Sequence, residues 1–148
     1  MRSNIPIGAR LSIIGRTFKK ELDTILLEED ITSVQFSVLI AILDYMENGE
    51  TEINQRMLEE AVHVTHPTMT ELVKKLCKKD FINSSIDSRD KRRKNISLTE
   101  KSLNLLSRLD RAQDEVWLKL SVGLSESETA LFLGISNKIL DNLSSAKK

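Results

Sequence analysis

Apolar residues recur at three- and four-residue spacings from the start of the chain. Ile7, Leu11, Ile14, Phe18, Leu22 and Ile25 fall on one stripe, which predicts an amphipathic helix over about residues 6–28. The stretch EEDITSVQF ends it and starts another. Thr32 and Gln35 have capping-box spacing, each side chain satisfying an orphan backbone N–H. This second helix runs through Phe36, Leu39, Ile40 and Leu43 to about Met46, and ENGET reads as a loop. Thr51 is the expected cap of a short helix buried through Ile53, Met57, Leu58 and Ala61. Thr65 is the expected cap of the next, with Pro67 in its first turn, where a missing N–H costs nothing.

FINSSI and KNISL then read as two short strands flanking the polar loop DSRDKRR. Thr99 caps a long helix over about 100–121. Leu105, Leu109, Ala112, Val116 and Leu120 form its stripe, with Leu103, Leu106 and Trp117 beside it. Ser125 and Glu128 repeat the capping-box spacing before a last helix over about 126–143, which carries Leu131, Phe132, Ile135, Ile139 and Leu143. Two helices about four residues apart followed by a hairpin form a helix-turn-helix with a wing. The fold class is mainly α: a winged helix-turn-helix lobe with a small β-hairpin wing, flanked by N- and C-terminal helices. The first helix and the last two carry more apolar surface than one small lobe can cover, which predicts burial against a second copy of the chain.

Charge changes this picture only when counted by segment. The 148 residues hold 22 basic and 22 acidic side chains, a net charge of zero. Residues 1–65 carry six Lys/Arg against eleven Asp/Glu, residues 66–94 nine against four, and residues 95–148 seven against seven. The positive charge is therefore local, as phosphate binding requires. It peaks in SRDKRRKNISLT, where five of the six positions Arg89–Lys94 are basic. In the helix before the hairpin, a turn of 100° per residue puts Met69, Leu72, Val73 and Leu76 on one face. Thr68, Glu71, Lys74, Lys75 and Lys78 fall on the other. Lysines on the wet face of an ordinary surface helix are common; the adjoining basic hairpin favours nucleic acid.

With these residues in view, the order INQRMLEEAVHVTHPTMTELVKKL then DSRDKRRKNISLTEKS resembles the MarR (multiple antibiotic resistance regulator) family of winged-helix bacterial transcription factors. The signature Asp87, Arg89, Asp90, Arg92, followed at the family's spacing by Leu98-Thr99-Glu100, carries the resemblance, and Ile31-Thr32 extends it to the second helix. The family usually has Gly where His63, Asp80 and Ser102 stand. His and Asp tolerate positive φ, so the first two are plausible substitutes, and Ser102 lies inside a helix.

The resemblance implies one domain over 1–148, with the DNA-binding lobe at about 30–98 and dimerisation helices at about 6–28 and 100–146. It implies a homodimer on double-stranded DNA, its recognition helices in successive major grooves of a pseudo-palindromic operator and its wings in flanking minor grooves. Arg92 aligns with the wing-tip arginine of the family and Asp90 with the acid that steadies it; a guanidinium suits the negative potential of a narrow groove. Arg89, Lys91, Arg93 and Lys94 then face phosphates. Thr65, His66, Pro67, Thr68, Thr70 and Glu71 lie in the helix turns that meet base edges and phosphates, while Lys74, Lys75 and Lys78 track backbone.

Family members are most often repressors released by a small aromatic or amphipathic effector. For that ligand the apolar stripes offer Ile14, Phe18, Phe36, Ile40 and Trp117, which are also what plain core would look like. Other chemistries find less support. His63 and His66 straddle a helix-turn junction with no third ligand evident, so no metal or cofactor is expected. Cys77, the one cysteine, excludes an intramolecular disulfide, suits a reducing cytosol, and reads as a small buried hydrophobe rather than a redox switch; the resemblance implies a bacterial or archaeal cytosol, on the nucleoid. No apolar run approaches the roughly 18 residues of a membrane span. The basic first twenty residues are faintly like a transit peptide, but their apolar stripe continues past Lys20 as a body helix. No Gly-rich phosphate loop, G-x-S-x-G or nucleophile beside a base supports an enzyme. The remaining alternative is a DNA-binding or partner-binding module of the same fold without ligand control.

Overall fold

The computed structural model of the chain describes residues 5–86 and 94–145. Six helices and one hairpin follow in order: α1 (Ile7–Glu28), α2 (Ser33–Glu47), α3 (Gln55–Val62), α4 (His66–Lys78), β1 (Ile82–Ile86), β2 (Lys94–Leu98), α5 (Glu100–Leu120) and α6 (Glu126–Ser145). The chain divides into two compact units, Met1–Gln113 and Asp114–Lys148, with the boundary inside α5.

In the first unit, α2, α3 and α4 close around fully buried Val38, Leu39, Ile42, Leu58, Met69 and Leu76, with Phe81, Ile82 and Ile96 from the base of the hairpin. Removing such side chains from water contributes about 1.5–3 kcal/mol each for the larger ones. β1 and β2 pair antiparallel, Ile82 opposite Leu98 and Ile86 opposite Lys94. A third segment joins them at a single residue. The Ile96 N–H donates to the Ile53 carbonyl at 2.8 Å, and the Ile53 N–H donates to Asn95 Oδ1 at 3.0 Å. Asn95 Nδ2 also reaches the Thr51 carbonyl at 3.4 Å, so one amide side chain extends the sheet as backbone would.

Helix ends follow from local chemistry. α2 has the capping box: the Gln35 N–H donates to Thr32 Oγ1 at 3.2 Å and the Thr32 N–H to Gln35 Oε1 at 3.1 Å. At the head of α6, the Glu128 N–H donates to Ser125 Oγ at 3.2 Å and the Ser125 N–H to Glu128 Oε2 at 2.8 Å. That backbone N–H, and then the Ser125 hydroxyl, hold the Glu128 carboxyl below its ordinary range. Thr99 caps α5 through the Ser102 N–H at 3.3 Å. α1 and α4 end in Schellman turns at left-handed Asp30 (φ 53°) and Asp80 (φ 61°). The Ile31 N–H returns to the Leu26 carbonyl and the Phe81 N–H to the Leu76 carbonyl. His63, at φ 57°, closes α3 in the same region of backbone space. Two of the three residues that stand where the resembled family has glycine, His63 and Asp80, thus occupy left-handed backbone.

Some expectations need correction. The cap of α3 is Asn54, whose Oδ1 accepts from the Met57 N–H at 3.2 Å, because Ile53 is drawn into the sheet and Thr51 lies too far upstream. Ala61 is exposed. Thr65 stands at the N-cap of α4 but receives no backbone N–H; its hydroxyl meets Thr68 Oγ1 at 2.9 Å. Of the six α1 stripe residues only Ile25 is buried, while Ile7 and Leu11 are 72% and 51% exposed. On α2 the buried face is Gln35, Val38, Leu39 and Ile42, with Phe36 and Leu43 at its edge and Ile40 exposed.

Candidate nucleic-acid interface

α4 stands on its apolar side with Met69, Val73 and Leu76 buried and Leu72 and Cys77 half-buried against the same core. Every α4 residue expected at DNA lies on the opposite side. Thr65, His66, Pro67, Thr68, Thr70, Glu71, Lys74, Lys75 and Lys78 are all exposed. The lysines sit in the second half of the helix, with Lys75 and Lys78 in its last turn, where the helix dipole favours cations. The neutral hydroxyls and His66 occupy the first turns, where the free backbone N–H groups lie.

The expected wing residues Arg89, Asp90, Lys91, Arg92 and Arg93 lie outside the described residues. The pairing of Ile86 with Lys94 sets where their segment leaves and rejoins the sheet.

Sequence reasoning missed the contacts that hold α4 against α3. Gln55 Nε2 donates to Glu59 Oε1 at 3.0 Å and to Thr70 Oγ1 at 2.8 Å. The Thr70 hydroxyl donates to the His66 carbonyl at 3.0 Å, and His66 Nδ1 lies 2.7 Å from Glu59 Oε1. Gln55 and Glu59 are one helical turn apart, which is also the pattern of any solvated helix face, so no sequence signal separated them from it.

A second missed cluster joins α1, α4 and α5. Arg108 pairs with Glu29 at 3.2 Å and with Glu28. The Glu28 hydrogen bond, above all, raises the Arg108 guanidinium above its ordinary range. Lys79 pairs with Asp30 at 2.9 Å. Lys101 Nζ donates to the Lys79 carbonyl at 2.9 Å and lies 4.2 Å from the centre of the Phe81 ring. Buried Ser102 also donates to the Phe81 carbonyl. A cleft of about 450 Å³ opens beside this cluster, lined by Glu29, Asp80, Glu100, Lys101, Asn104, Leu105 and Arg108. None of these is a residue expected to meet an effector.

Of the expected effector residues, Phe18 and Phe36 are half-buried, and Ile14 and Ile40 are 39% and 41% exposed. Trp117 belongs to the second unit, where it stacks on Phe132 with ring centres 5.4 Å apart and an interplanar angle of 18°. Among the described residues no three His, Cys, Asp or Glu side chains gather as a metal site. No helix there is long and apolar enough to cross a membrane.

Comparison with known proteins places this geometry. The MarR family profile matches residues 31–94. The HTH-type transcriptional regulator SarZ of Staphylococcus haemolyticus strain JCSC1435 is 30% identical over 118 residues, covering 80% of this chain and 77% of that protein. SarZ of Staphylococcus aureus strain USA300 is 33% identical over 108 residues, 73% of this chain and 70% of its own. Among solved structures, S. aureus MepR in complex with DNA superposes with a TM-score of 0.71 at 28% identity, over 90% of this chain and 96% of that one. MepR bound to ethidium bromide gives 0.69 at 27%, over 94% and 97%. MarR itself, at 21% identity and a TM-score of 0.68, over 99% and 97%, shares the fold. These relatives are transcriptional regulators rather than enzymes, and the chain belongs to the MarR family of winged helix-turn-helix transcriptional regulators.

Proposed function

We propose that the protein is a homodimeric, sequence-specific DNA-binding regulator of the bacterial or archaeal cytosol, and that it represses until a small aromatic or amphipathic molecule releases it. The observation that carries the DNA reading is α4 itself, with apolar residues inward and hydroxyls, His66 and three lysines outward. MepR, which has this fold over nearly its whole length, is known in complex with DNA. On this reading Thr65 to Glu71 meet base edges and phosphates, and Lys74, Lys75 and Lys78 follow the backbone. Arg92, steadied by Asp90, enters the minor groove, while Arg89, Lys91 and Arg93 face phosphates.

Dimerisation is supported by apolar surface left in water. Ile7 and Leu11 on α1, and Leu131, Ile135, Ile139 and Leu143 on α6, are each about half exposed or more. Stripes of this kind on a monomer mark an interface. Two-fold symmetry would space the recognition helices by one DNA turn, about 34 Å. Effector control is supported by the MepR–ethidium structure. The residues offered to such a ligand here are Ile14, Phe18, Phe36, Ile40 and Trp117. A ligand that binds the DNA-incompetent state better by about 1–3 kcal/mol would lower operator affinity roughly 5- to 150-fold.

The test is selection of bound duplexes from a random library by the purified protein, followed by titration at several salt concentrations. A two-fold motif with half-sites one turn apart is expected. Recovery without a motif, with only a steep salt slope, would point to an architectural binder. No recovery at low salt would point to a partner-binding module. Loss of inducer response on substituting Phe36 or Trp117 is the corresponding test of the ligand residues.

A further inference from the structure

The hydrogen bonds around His66 place a hydrogen on its Nδ1. Gln55 Nε2 has two hydrogens, and its two shortest contacts, Glu59 Oε1 at 3.0 Å and Thr70 Oγ1 at 2.8 Å, take them ahead of the His66 carbonyl at 3.4 Å. The Thr70 hydroxyl spends its own hydrogen on the His66 carbonyl. An ionised carboxylate only accepts, so the 2.7 Å contact between Glu59 Oε1 and His66 Nδ1 requires the hydrogen on Nδ1. The Gln55 amide, 3.3 Å from the same nitrogen, then has no hydrogen left to give it. Glu59 is well placed to hold the ring: its side chain is 17% exposed, whereas that of His66 is 74% exposed. The groups meeting the ring are Glu59 and Gln55 of α3, while Thr70 of α4 meets the His66 carbonyl. The neighbouring charges Arg56 and Glu60 pair with one another at 3.2 Å.

We infer that Glu59 and Gln55 are positioning residues for DNA recognition, fixing His66 so that Nε2 is the nitrogen presented outward at the start of the recognition helix. This rests on the DNA reading above. With Nδ1–H committed to Glu59, a neutral His66 offers Nε2 as an acceptor, which suits the exocyclic amine of adenine or cytosine. The base partner that the contact prefers is therefore set by the carboxylate on the other side of the ring.

Two measurements test this. Ring 15N correlation spectra of the free protein, with His63→Asn to assign the second histidine, are expected to show hydrogen on Nδ1 of His66 in the wild type and in Glu59→Gln, whose amide oxygen still accepts. In Glu59→Ala the Nε2–H form is expected to appear. Nε2–H in the wild type, or no change in Glu59→Ala, would overturn the anchor. Duplexes selected by the wild type are then titrated with the wild type and with each variant. His66→Ala is expected to weaken binding by about tenfold. Glu59→Ala is expected to relax the base preference at one position of each half-site. A His66→Ala variant with the wild-type affinity and base preference would overturn the DNA role of the ring. Failure to recover any duplex would overturn the DNA reading, and with it the assignment of Nε2 to DNA, while the spectra still decide the anchor.

Discussion

His63 and Asp80 hold left-handed backbone, φ 57° and 61°, where an ordinary side chain meets a penalty of about 1–2 kcal/mol. Relief of that strain opposes the greater entropy of an unfolded glycine. Asp80→Gly is therefore expected to leave stability unchanged or raise it by up to about 1 kcal/mol, and Asp80→Val to lower it by about 2 kcal/mol. Urea denaturation checks both; a clear loss in Asp80→Gly would mean that the carboxylate has a stabilising partner of its own. Arg92 carries the opposite kind of expectation, on function and not on folding. Arg92→Ala is expected to keep the wild-type melting temperature, weaken operator binding about tenfold and reduce the salt slope by about one. Normal binding by a well-folded variant would remove the wing from the interface.

Caps give the most direct tests at the level of single elements. Asn54→Ala is expected to cost about 1 kcal/mol, whereas Thr51→Ala, at the position that spacing first suggested, is expected to cost almost nothing. At the head of α6 the sign is set by Glu128, whose carboxyl is held below its ordinary range by the Ser125 backbone N–H and hydroxyl. A depressed acid stabilises above its unfolded value and loses that contribution as pH falls through its folded value. The stability gap between the wild type and Glu128→Gln should therefore be full at pH 7 and close toward pH 3, as thermal unfolding would show.

The capping boxes at Thr32 and Ser125, the wing strands and the two-faced α4 were legible because each is written within a few neighbouring residues. Asn54 was masked by Thr51, an equally good cap whose register depends on where Ile53 docks. The contacts from Asn95 to Ile53, 42 positions away, and from Arg108 to Glu28, 80 positions away, depend on packing that periodicity does not encode. Glu59 and Gln55 fell to the same limit, as an i, i+4 pair whose target becomes apparent only when two helices meet.

For the whole molecule, the question is what covers α1 and α6. Leu131 and Ile135, 64% and 49% exposed, can be replaced without disturbing a monomer's core. Leu131→Glu with Ile135→Glu is expected to yield a folded monomer by sedimentation. That monomer should lose far more affinity for a duplex with two half-sites than for one with a single half-site. A variant that stays dimeric would place the interface elsewhere.

The attachment of Ile53 to the base of the hairpin has a mechanical consequence. Its two hydrogen bonds rivet the root of the hairpin to the residue just ahead of α3, so a push on the wing is transmitted to the helix pair as a lever transmits load to its fulcrum. The rivet lies at the root, outside the segment between Ile86 and Lys94. That segment can be exchanged as a cassette between strands whose register, Ile82 opposite Leu98 through Ile86 opposite Lys94, is unchanged. A graft of a relative's wing should then alter flanking-sequence preference alone, leaving the central half-site motif as it was.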